Sequence, residues 1–198
     1  MLMEYPELAN SLYLALADDP FYIQLEQQID QSGLDARTGM LRYYDCSIRV
    51  AEQTGILTLP NDSSHWGAAL WSVPESEPKT LSFNKADYLA QHMGAQAYNH
   101  YQAVCDSMTQ LTEPHIDASS WYLSIIGITT KEQGKGLGRQ LIEPVLAQAD
   151  DAGVATYLET FVPRNISFYQ RYGYSTTAVL HEPVMATDYH LLVRPPGG

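Results

Sequence analysis

The sequence is poor in basic residues. Its 198 residues include 11 Lys and Arg against 23 Asp and Glu, which gives a formal net charge of −12. Proteins that bind nucleic acids neutralise phosphates with a positive surface, and so acidic a chain does not offer one. Anionic membrane surfaces should repel it for the same reason. We therefore expect neither nucleic acid nor membrane among its partners.

Cysteines are scarce, and long hydrophobic runs are missing. The two cysteines, Cys46 and Cys105, exclude a fold held by several disulfides, and both are predicted to be small buried apolar groups. No apolar run approaches the roughly 20 residues that span a bilayer. The acidic segment 1–7 differs from the basic start of a secretion signal. The expected location is the cytoplasm.

The charge is distributed unevenly along the chain. Residues 1–130 carry 5 basic and 16 acidic side chains, a net of −11, whereas residues 131–198 carry 6 and 7, a net of −1. An anionic ligand is therefore expected to bind the C-terminal third. The acidic N-terminal part would suit a cationic ligand, although a solvated acidic surface explains the same excess.

Apolar spacing and turn residues predict a single domain of helices and short strands, without repeats or linkers. The predicted helices begin at 6, with a break at 18–20, and continue over 21–29, 35–53, 83–113, 136–151 and 164–172. The predicted strands are 56–60, 65–73, 121–128, 156–161, 175–181 and 186–194. The first two strands should form a hairpin through the polar turn 61–64.

The segment 83–113 carries the longest helical pattern. From Leu89 to Leu111 its apolar positions advance by steps of three or four, which predicts one continuous helix with a seam facing the core. Glu113 should end this helix, because a residue before proline avoids the α region.

A glycine-rich turn joins the apolar strand 121–128 to the helix that follows. The turn reads Gln133-Gly134-Lys135-Gly136-Leu137-Gly138-Arg139. The three glycines let backbone N–H groups converge at the positive end of a helix dipole, an arrangement that suits phosphate. Lys131, Lys135 and Arg139 add positive charge nearby. The glycine spacing matches neither a P-loop nor a dinucleotide fingerprint.

The pattern Q-x-x-G-x-G in this turn resembles the pyrophosphate loop of the GNAT acyltransferase superfamily. A second segment resembles the superfamily's other signature, and it contains Leu158-Glu159-Thr160, Pro163-Arg164-Asn165, Phe168-Tyr169 and Gly173-Tyr174 in that order. Residues 120–182 carry this resemblance. Within the superfamily, the sequence is similar to the puromycin N-acetyltransferase-like small-molecule acetyltransferases, which share the segment Trp71-Ser72-Val73-Pro74-Glu75-Ser76.

The resemblance implies an α/β (α+β) fold over residues 1–198, with a mixed, mostly antiparallel central sheet, one splayed parallel pair and flanking helices. Residues 1–118 would form a helical, acceptor-side half, and residues 119–198 would bind acetyl-CoA. The family usually opens with a strand, whereas a helical pattern begins at residue 6 here. We therefore expect the first strand to be missing. A homodimer is left open as an alternative to a monomer.

The resemblance also implies an N-acetyltransferase that uses acetyl-CoA as co-substrate, needs no metal and acetylates a primary amine of a small molecule. Backbone N–H groups in the strand and the glycine-rich turn would bind the co-substrate. The expected residues are Ile126, Ile128, Gln133, Gly134, Lys135, Gly136, Leu137, Gly138, Arg139 and Asn165. Asn165 is also expected to cap the helix that it precedes.

Tyr169 matches the family's general acid. A phenol, with a reference pKa of about 10, is protonated at pH 7 and can give its proton to a departing thiolate. The alternative is a buried aromatic that serves packing alone. Glu159 is the candidate general base, with a structural hydrogen-bonding role as its alternative, and His115 is another candidate.

Four aromatic residues either line an acceptor pocket or fill the core: Trp71, Tyr98, Tyr101 and Trp121. His92 and His100 lie eight residues apart on a predicted helix, a spacing that does not predict a metal site. Two other functions stay open. The chain could be a regulatory module that binds acyl-CoA without turnover, or a protein or peptide N-acetyltransferase, which would need an open groove.

Overall fold

A computed structural model describes residues 2–62, 64–74 and 79–197, so Glu75 and Ser76 of the quoted motif lie outside the described residues. The helices are α1 (Pro6–Ala15), α2 (Pro20–Gln31), α3 (Ala36–Thr54), α4 (Lys85–Met93), α5 (Ala95–Thr112), α6 (Gly138–Asp151) and α7 (Ile166–Gln170). The strands are β1 (Ile56–Thr58), β2 (Gly67–Ser72), β3 (Trp121–Ile128), β4 (Thr156–Thr160), β5 (Ser175–Glu182) and β6 (Thr187–Arg194). Two 3₁₀ turns, Glu113–His115 and Pro163–Asn165, follow α5 and precede α7.

Six strands form one sheet in the order β1-β2-β3-β4-β6-β5. All neighbours are antiparallel except β3 and β4, whose pairing is limited to Trp121 opposite Thr156 and Tyr122 opposite Tyr157. Beyond these two pairs, β3 and β4 diverge. The predicted mixed, mostly antiparallel sheet with a splayed parallel pair is confirmed. In the described part of the chain no strand precedes α1.

Helices cover both faces of the sheet. On one face, α1 buries Leu8 and Leu12, which are four residues apart and pack against the helices α2–α4 and the strands β2 and β3. A Cβ placed on Gly127 of β3 would lie 2.8 Å from the Leu12 side chain, so α1 rests directly on the strand. On the other face, α6 buries Leu141 and Val145 against β2, β3, β4 and β6. The glycine therefore fixes how closely α1 approaches the splayed pair.

The predicted single helix over 83–113 is wrong, since the structure divides it into α4 and α5 at Gly94. Gly94 has φ +83°, a conformation that ends α4. Its N–H still bonds the carbonyl of Ala90 (3.1 Å), while its carbonyl accepts from Tyr98 N (3.0 Å) at the start of α5. Apolar positions keep their spacing across the break, and for that reason the periodicity did not reveal it. The predicted end before Pro114 is confirmed, because α5 stops at Thr112.

Gly94→Ala is expected to destabilise the fold by about 2–5 kcal/mol, because a non-glycine residue at φ +83° and ψ +147° is strained by about 1–3 kcal/mol and crowding adds a similar amount. The added Cβ would lie 2.8 Å from Cβ of Ser32. Denaturant unfolding measures the change in free energy. Gly33→Ala is the matched control, since Gly33 has φ +76° and open space around its Cβ position. Gly33→Ala should lose only the free energy that comes from backbone strain. Equal losses of free energy in the two variants would contradict a contribution from crowding.

Among the described residues, no helix combines the length and apolar character needed to cross a bilayer.

Candidate active site

The edge of β3 that faces β4 is unpaired where the two strands diverge. Thr129 donates its N–H to the carbonyl of Trp66 (2.8 Å), so its backbone faces β2. Backbone direction alternates along a strand, and the N–H groups of Ile126 and Ile128 therefore face away from β2, toward the open edge. The carbonyl of Ile128 on this edge accepts a hydrogen bond from Gln133 Nε2 (2.8 Å). The structure thus presents both predicted amides where β4 has left room for a ligand.

The glycine-rich turn leaves several amides without a backbone acceptor. Gly134 and Gly136 have φ of +76° and +75°, and a Cβ at either position would meet nothing within 4 Å. Within the described chain, the N–H groups of residues 134–137 make no backbone hydrogen bond. They precede α6, a helix of 14 residues that begins at Gly138 and not at the predicted Gly136, because Gly136 is left-handed. Open space, free amides and a helix N-terminus together fit a pyrophosphate.

The positive side chains beside the turn have acidic partners. Lys135 Nζ lies 2.8 Å from Glu132 Oε2, and Arg139 Nε lies 2.7 Å from Glu143 Oε2. Exposed pairs of this kind contribute little, so phosphate oxygens can compete for both cations. The backbone amides of residues 134–137 are therefore the main candidates to bind an anion in this turn.

Gly138 couples the turn to α7. A Cβ on Gly138 would lie 2.8 Å from the ring of Phe168, so the start of α6 packs directly against the helix that carries Tyr169. Asn165 immediately precedes α7. The expectation that it caps this helix is wrong: its side chain makes no cap hydrogen bond, because a 3₁₀ turn already places its backbone in the helical region.

Tyr169 is buried in the core under α6. Its ring packs edge-on against Phe168 and Tyr174, with centroids 5.1 and 6.1 Å away. Burial, followed by the nearby Tyr174 and Asp19, raises the pKa of Tyr169 well above its ordinary value, so the phenol is protonated at neutral pH. Within residues 2–62, 64–74 and 79–197, nothing hydrogen-bonds its hydroxyl. The side chain has the protonation state of a general acid, although it does not form part of the cavity wall described next.

A cavity of about 530 Å³ lies between α2, α3 and α5 and the strands β2, β3 and β4. It extends along both strands of the diverging pair. Eight aromatic residues contribute to its wall, and they are Phe21, Tyr22, Tyr43, Trp71, Tyr101, Tyr122, Tyr157 and Phe161. Of the four aromatics predicted to line a pocket or fill the core, Trp71 and Tyr101 line the cavity, whereas Tyr98 and Trp121 pack against the core.

The charged groups of the cavity wall are mostly acidic. In the described part of the chain they are Asp19, Glu113 and Glu159, with Lys85 as the cation.

Cys105 also lines the cavity and is only partly buried, unlike Cys46. The prediction of two buried cysteines therefore holds for Cys46 alone. Burial raises the pKa of the Cys105 thiol to about 11 and keeps it protonated.

Glu159 lies on β4 in the cavity wall with both carboxylate oxygens engaged. Tyr122 donates its hydroxyl to Oε2 (2.9 Å), and Thr112 donates its hydroxyl to Oε1. Burial raises the pKa of Glu159, and these two hydrogen bonds oppose the rise. The position of Glu159 therefore fits both predicted roles, because its side chain lines the cleft and also belongs to a structural hydrogen-bond network. His115 is exposed in a 3₁₀ turn and does not line the cavity.

Sequence reasoning missed Asp19, which it treated only as part of a helix break. Asp19 is the N-cap of α2, where its Oδ1 accepts from Phe21 N (2.9 Å), and it also lines the cavity. Burial raises the pKa of this carboxylate to about 6, while the Phe21 N–H and the Arg164 charge oppose the rise. An Asp before Pro20 is a recognisable N-cap, but nothing in the sequence spacing places it in one cavity wall with Glu159.

No group of three or more His, Cys, Asp or Glu side chains in the described ranges is arranged to hold a metal ion. His92 packs edge-on against Tyr88, and His100 hydrogen-bonds Gln24 at 3.0 Å. Both histidines of the long helical segment therefore have structural neighbours.

The six-stranded sheet with its splayed parallel pair is the GNAT fold, and sequence comparison agrees. Residues 89–174 match the Acetyltransferase (GNAT) family. An uncharacterized N-acetyltransferase of Schizosaccharomyces pombe is 35% identical over 82 residues, which make up 40% of this chain and 33% of that protein. The matched region thus spans about a third of that relative. These matches show that residues 89–174 resemble the GNAT acetyltransferase family.

Two crystal structures share the fold over the whole chain. A Corynebacterium glutamicum protein, described as histone acetyltransferase HPA2 and related acetyltransferase, has a TM-score of 0.66 at 18% identity and covers 100% of this chain and 94% of its own. Arylalkylamine N-acetyltransferase 2 of Aedes aegypti has a TM-score of 0.58 at 12% identity, with coverage of 100% and 97%. At such low identities the likeness concerns the fold alone.

Proposed function

We propose that this protein transfers the acetyl group of acetyl-CoA directly to a primary amine of a small molecule. The observation that carries the proposal is that the cavity runs along β3 and β4 where they diverge and reaches Ile125, the residue before Ile126 on the unpaired edge. An acceptor in the cavity would therefore reach a thioester held along the edge of β3. The glycine-rich turn before α6 fits the pyrophosphate of the same co-substrate.

The protein would contribute to the chemistry mainly by electrostatics and proton transfer. The N–H groups of Ile126 or Ile128 would stabilise the oxyanion that forms during attack, an effect commonly worth about 3–4 kcal/mol per donor. Tyr169 would protonate the departing thiolate. A carboxylate would remove a proton from the acceptor amine, a role that the sequence assigns to Glu159, and the cavity holds Asp19 as a second carboxylate.

The shape and charge of the cavity favour a small cationic acceptor. A volume of about 530 Å³ falls within the range of small-molecule sites. Its aromatic wall would bury an apolar body, and the three carboxylates would favour an ammonium group over an anion. A peptide acceptor would need an open groove, whereas this wall is built from three helices and the sheet. The two predicted halves both contribute, with residues 1–118 forming most of the cavity wall.

Three finer expectations stay predictions. They are the similarity to puromycin N-acetyltransferase-like enzymes, the cytoplasmic location, and a monomer or homodimer as the oligomeric state.

Acetyl-CoA binding and thiol release across a panel of amines test the proposal. The panel should contain an arylalkyl monoamine such as phenethylamine, an aliphatic polyamine such as spermidine, and two peptides, one with a free N-terminus and one with an internal lysine. We expect micromolar acetyl-CoA binding by calorimetry, and thiol release with at least one small amine but with neither peptide.

Two outcomes would contradict this function. Acetyl-CoA binding without thiol release on any primary amine would favour the regulatory module. Faster release with a peptide than with every small amine would favour a protein acetyltransferase.

A further inference from the structure

We infer that Asp19, not Glu159, accepts the proton of the acceptor amine. This inference rests on the proposed acetyl transfer and assigns its general base. Three observations support it. The loop between α1 and α2 docks on the end of β4, the two carboxylates differ in their hydrogen bonds, and only Asp19 contributes to the raised pKa of Tyr169.

Two contacts hold the loop between α1 and α2 against the C-terminal half. Arg164 Nη2 lies 3.3 Å from Asp18 Oδ2, which ties the loop to the 3₁₀ turn before α7. Phe21 stacks on Phe161, with centroids 6.4 Å apart and planes 19° apart, which ties the start of α2 to the end of β4. Asp19 lies between Asp18 and Phe21 in the chain and so is held where β4 runs into the segment that carries Tyr169.

The two carboxylates differ in their capacity to accept a proton. Both oxygens of Glu159 already accept hydroxyl hydrogen bonds, from Thr112 and Tyr122. Asp19 uses Oδ1 for the Phe21 N–H, and no residue of the described ranges hydrogen-bonds its Oδ2. Asp19 therefore has one carboxylate oxygen that no donor of the described residues engages, whereas each oxygen of Glu159 already shares a lone pair with a hydroxyl group.

Asp19 and Glu159 also differ in which tyrosine pKa values their charges raise. After burial and Tyr174, the charge of Asp19 contributes to raising the pKa of Tyr169, so the two side chains lie within electrostatic range of each other. Glu159 instead acts, after burial, on the pKa of Tyr122 and Tyr157, its neighbours on β3 and β4. A base and an acid that serve one thioester carbonyl must lie near each other, and this electrostatic effect favours Asp19 over Glu159 as the partner of Tyr169.

The surroundings of Asp19 keep it ionised at neutral pH and ready to accept a proton. Burial raises the pKa of Asp19 to about 6, and the Phe21 N–H and Arg164 limit that rise. A base is most effective when its pKa lies near the working pH. The titratable and charged groups around Asp19 are the preceding residue Asp18, Tyr22 of α2, Tyr44 of α3, Arg164 from the 3₁₀ turn and Tyr169 of α7.

The protons balance as follows. Asp19 takes one proton from the acceptor ammonium and later releases it to solvent. The neutral amine attacks the thioester carbon, so that the C–N bond forms while the electron pair of the C=O bond moves to oxygen. The C–S bond then breaks, Tyr169 protonates the thiolate, and the second amine proton restores Tyr169. The products are the amide, free CoA and one proton.

The test compares Asp19→Asn with Glu159→Gln in the full chain, using the small amine found active in the panel. Asn caps helices as well as Asp does, so Asp19→Asn should fold with a melting temperature no lower than the wild type. We expect its kcat/KM to fall 10²- to 10⁴-fold. In the wild type, kcat/KM should rise with pH near pH 6, and in Asp19→Asn this ascending limb of the pH profile should disappear. The acetyl-CoA affinity of the variant should stay within twofold of the wild-type value. Glu159→Gln should keep that limb and change mainly KM.

Asp30→Asn is the matched control, because it neutralises an exposed carboxylate of α2 that lies outside the cavity wall, and it should lose less than threefold. A wild-type pH profile in Asp19→Asn, or loss of the limb in Glu159→Gln, would overturn the assignment of Asp19 while leaving the acetyltransferase function intact. A wild-type protein that releases no thiol with any amine would overturn both.

Discussion

Tyr169→Phe is expected to lower kcat by about 10²- to 10⁴-fold, the usual contribution of general acid catalysis. Burial raises the pKa of Tyr169 above its ordinary value, so the phenol is protonated at neutral pH and holds a proton to donate when the departing thiolate forms. The variant keeps the ring that packs against Phe168 and Tyr174. Steady-state thiol release at pH 7 gives kcat, and calorimetry gives the acetyl-CoA affinity, which should not change.

Tyr172→Phe is the matched control for Tyr169→Phe. Tyr172 lies three residues further along the same segment, is only half-buried, and packs against Phe168 at 5.2 Å. Its loss of a hydroxyl should change kcat less than threefold. If Tyr169→Phe kept wild-type kcat, the phenol would serve packing alone, which is the alternative that the sequence leaves open.

Local sequence patterns predicted the strand, the glycine-rich turn and the helix on which the proposed co-substrate site is built. A strand, a glycine-rich turn and a helix follow one another within about 30 residues, and their geometry depends mainly on residues close in the chain. The left-handed Gly134 and Gly136 and the apolar strand β3 are features of this kind. The small error in the start of α6 has the same local cause, since Gly136 belongs to the turn.

The acceptor side could not be predicted in the same way, because tertiary packing assembles it. Asp19, Tyr43, Tyr101 and Glu159 come from four separate elements and share no sequence spacing. The cavity exists because α2, α3 and α5 stand over the diverging strands. Gly94, which separates α4 from α5, was equally invisible, since the apolar period continues across it.

The acidic excess of the N-terminal part has a largely non-catalytic explanation. Residues 1–130 carry 16 acidic side chains, and of those in the described ranges only Asp19 and Glu113 line the cavity. Several of the others have structural partners, such as buried Asp45, which accepts from the N–H groups of Glu4 and Tyr5 at 2.8 and 2.7 Å. Net charge therefore says little about the acceptor, whereas the carboxylates of the cavity wall bear on it directly.

Gly136→Asp is expected to weaken acetyl-CoA binding by about 100-fold or more. The space beside Gly136 is open, with nothing within 4 Å of a Cβ position, and it is where the amides of the turn converge. An Asp side chain there would occupy the pyrophosphate position and repel its charge. Losing two charged hydrogen bonds, each worth about 1.5–3 kcal/mol, accounts for at least this factor. Calorimetry with CoA measures it without requiring turnover.

Gly153→Asp separates this effect from backbone strain. Gly153 follows the other end of α6 with φ +66° and equally open space, but it lies away from the turn. Because Asp tolerates the left-handed region better than most residues, both variants should lose only about 1 kcal/mol of folding free energy. Gly153→Asp should therefore bind CoA like the wild type. Equal weakening in both variants would mean that strain in α6, not a blocked anion site, controls binding, and unchanged affinity in Gly136→Asp would remove the turn from the co-substrate site.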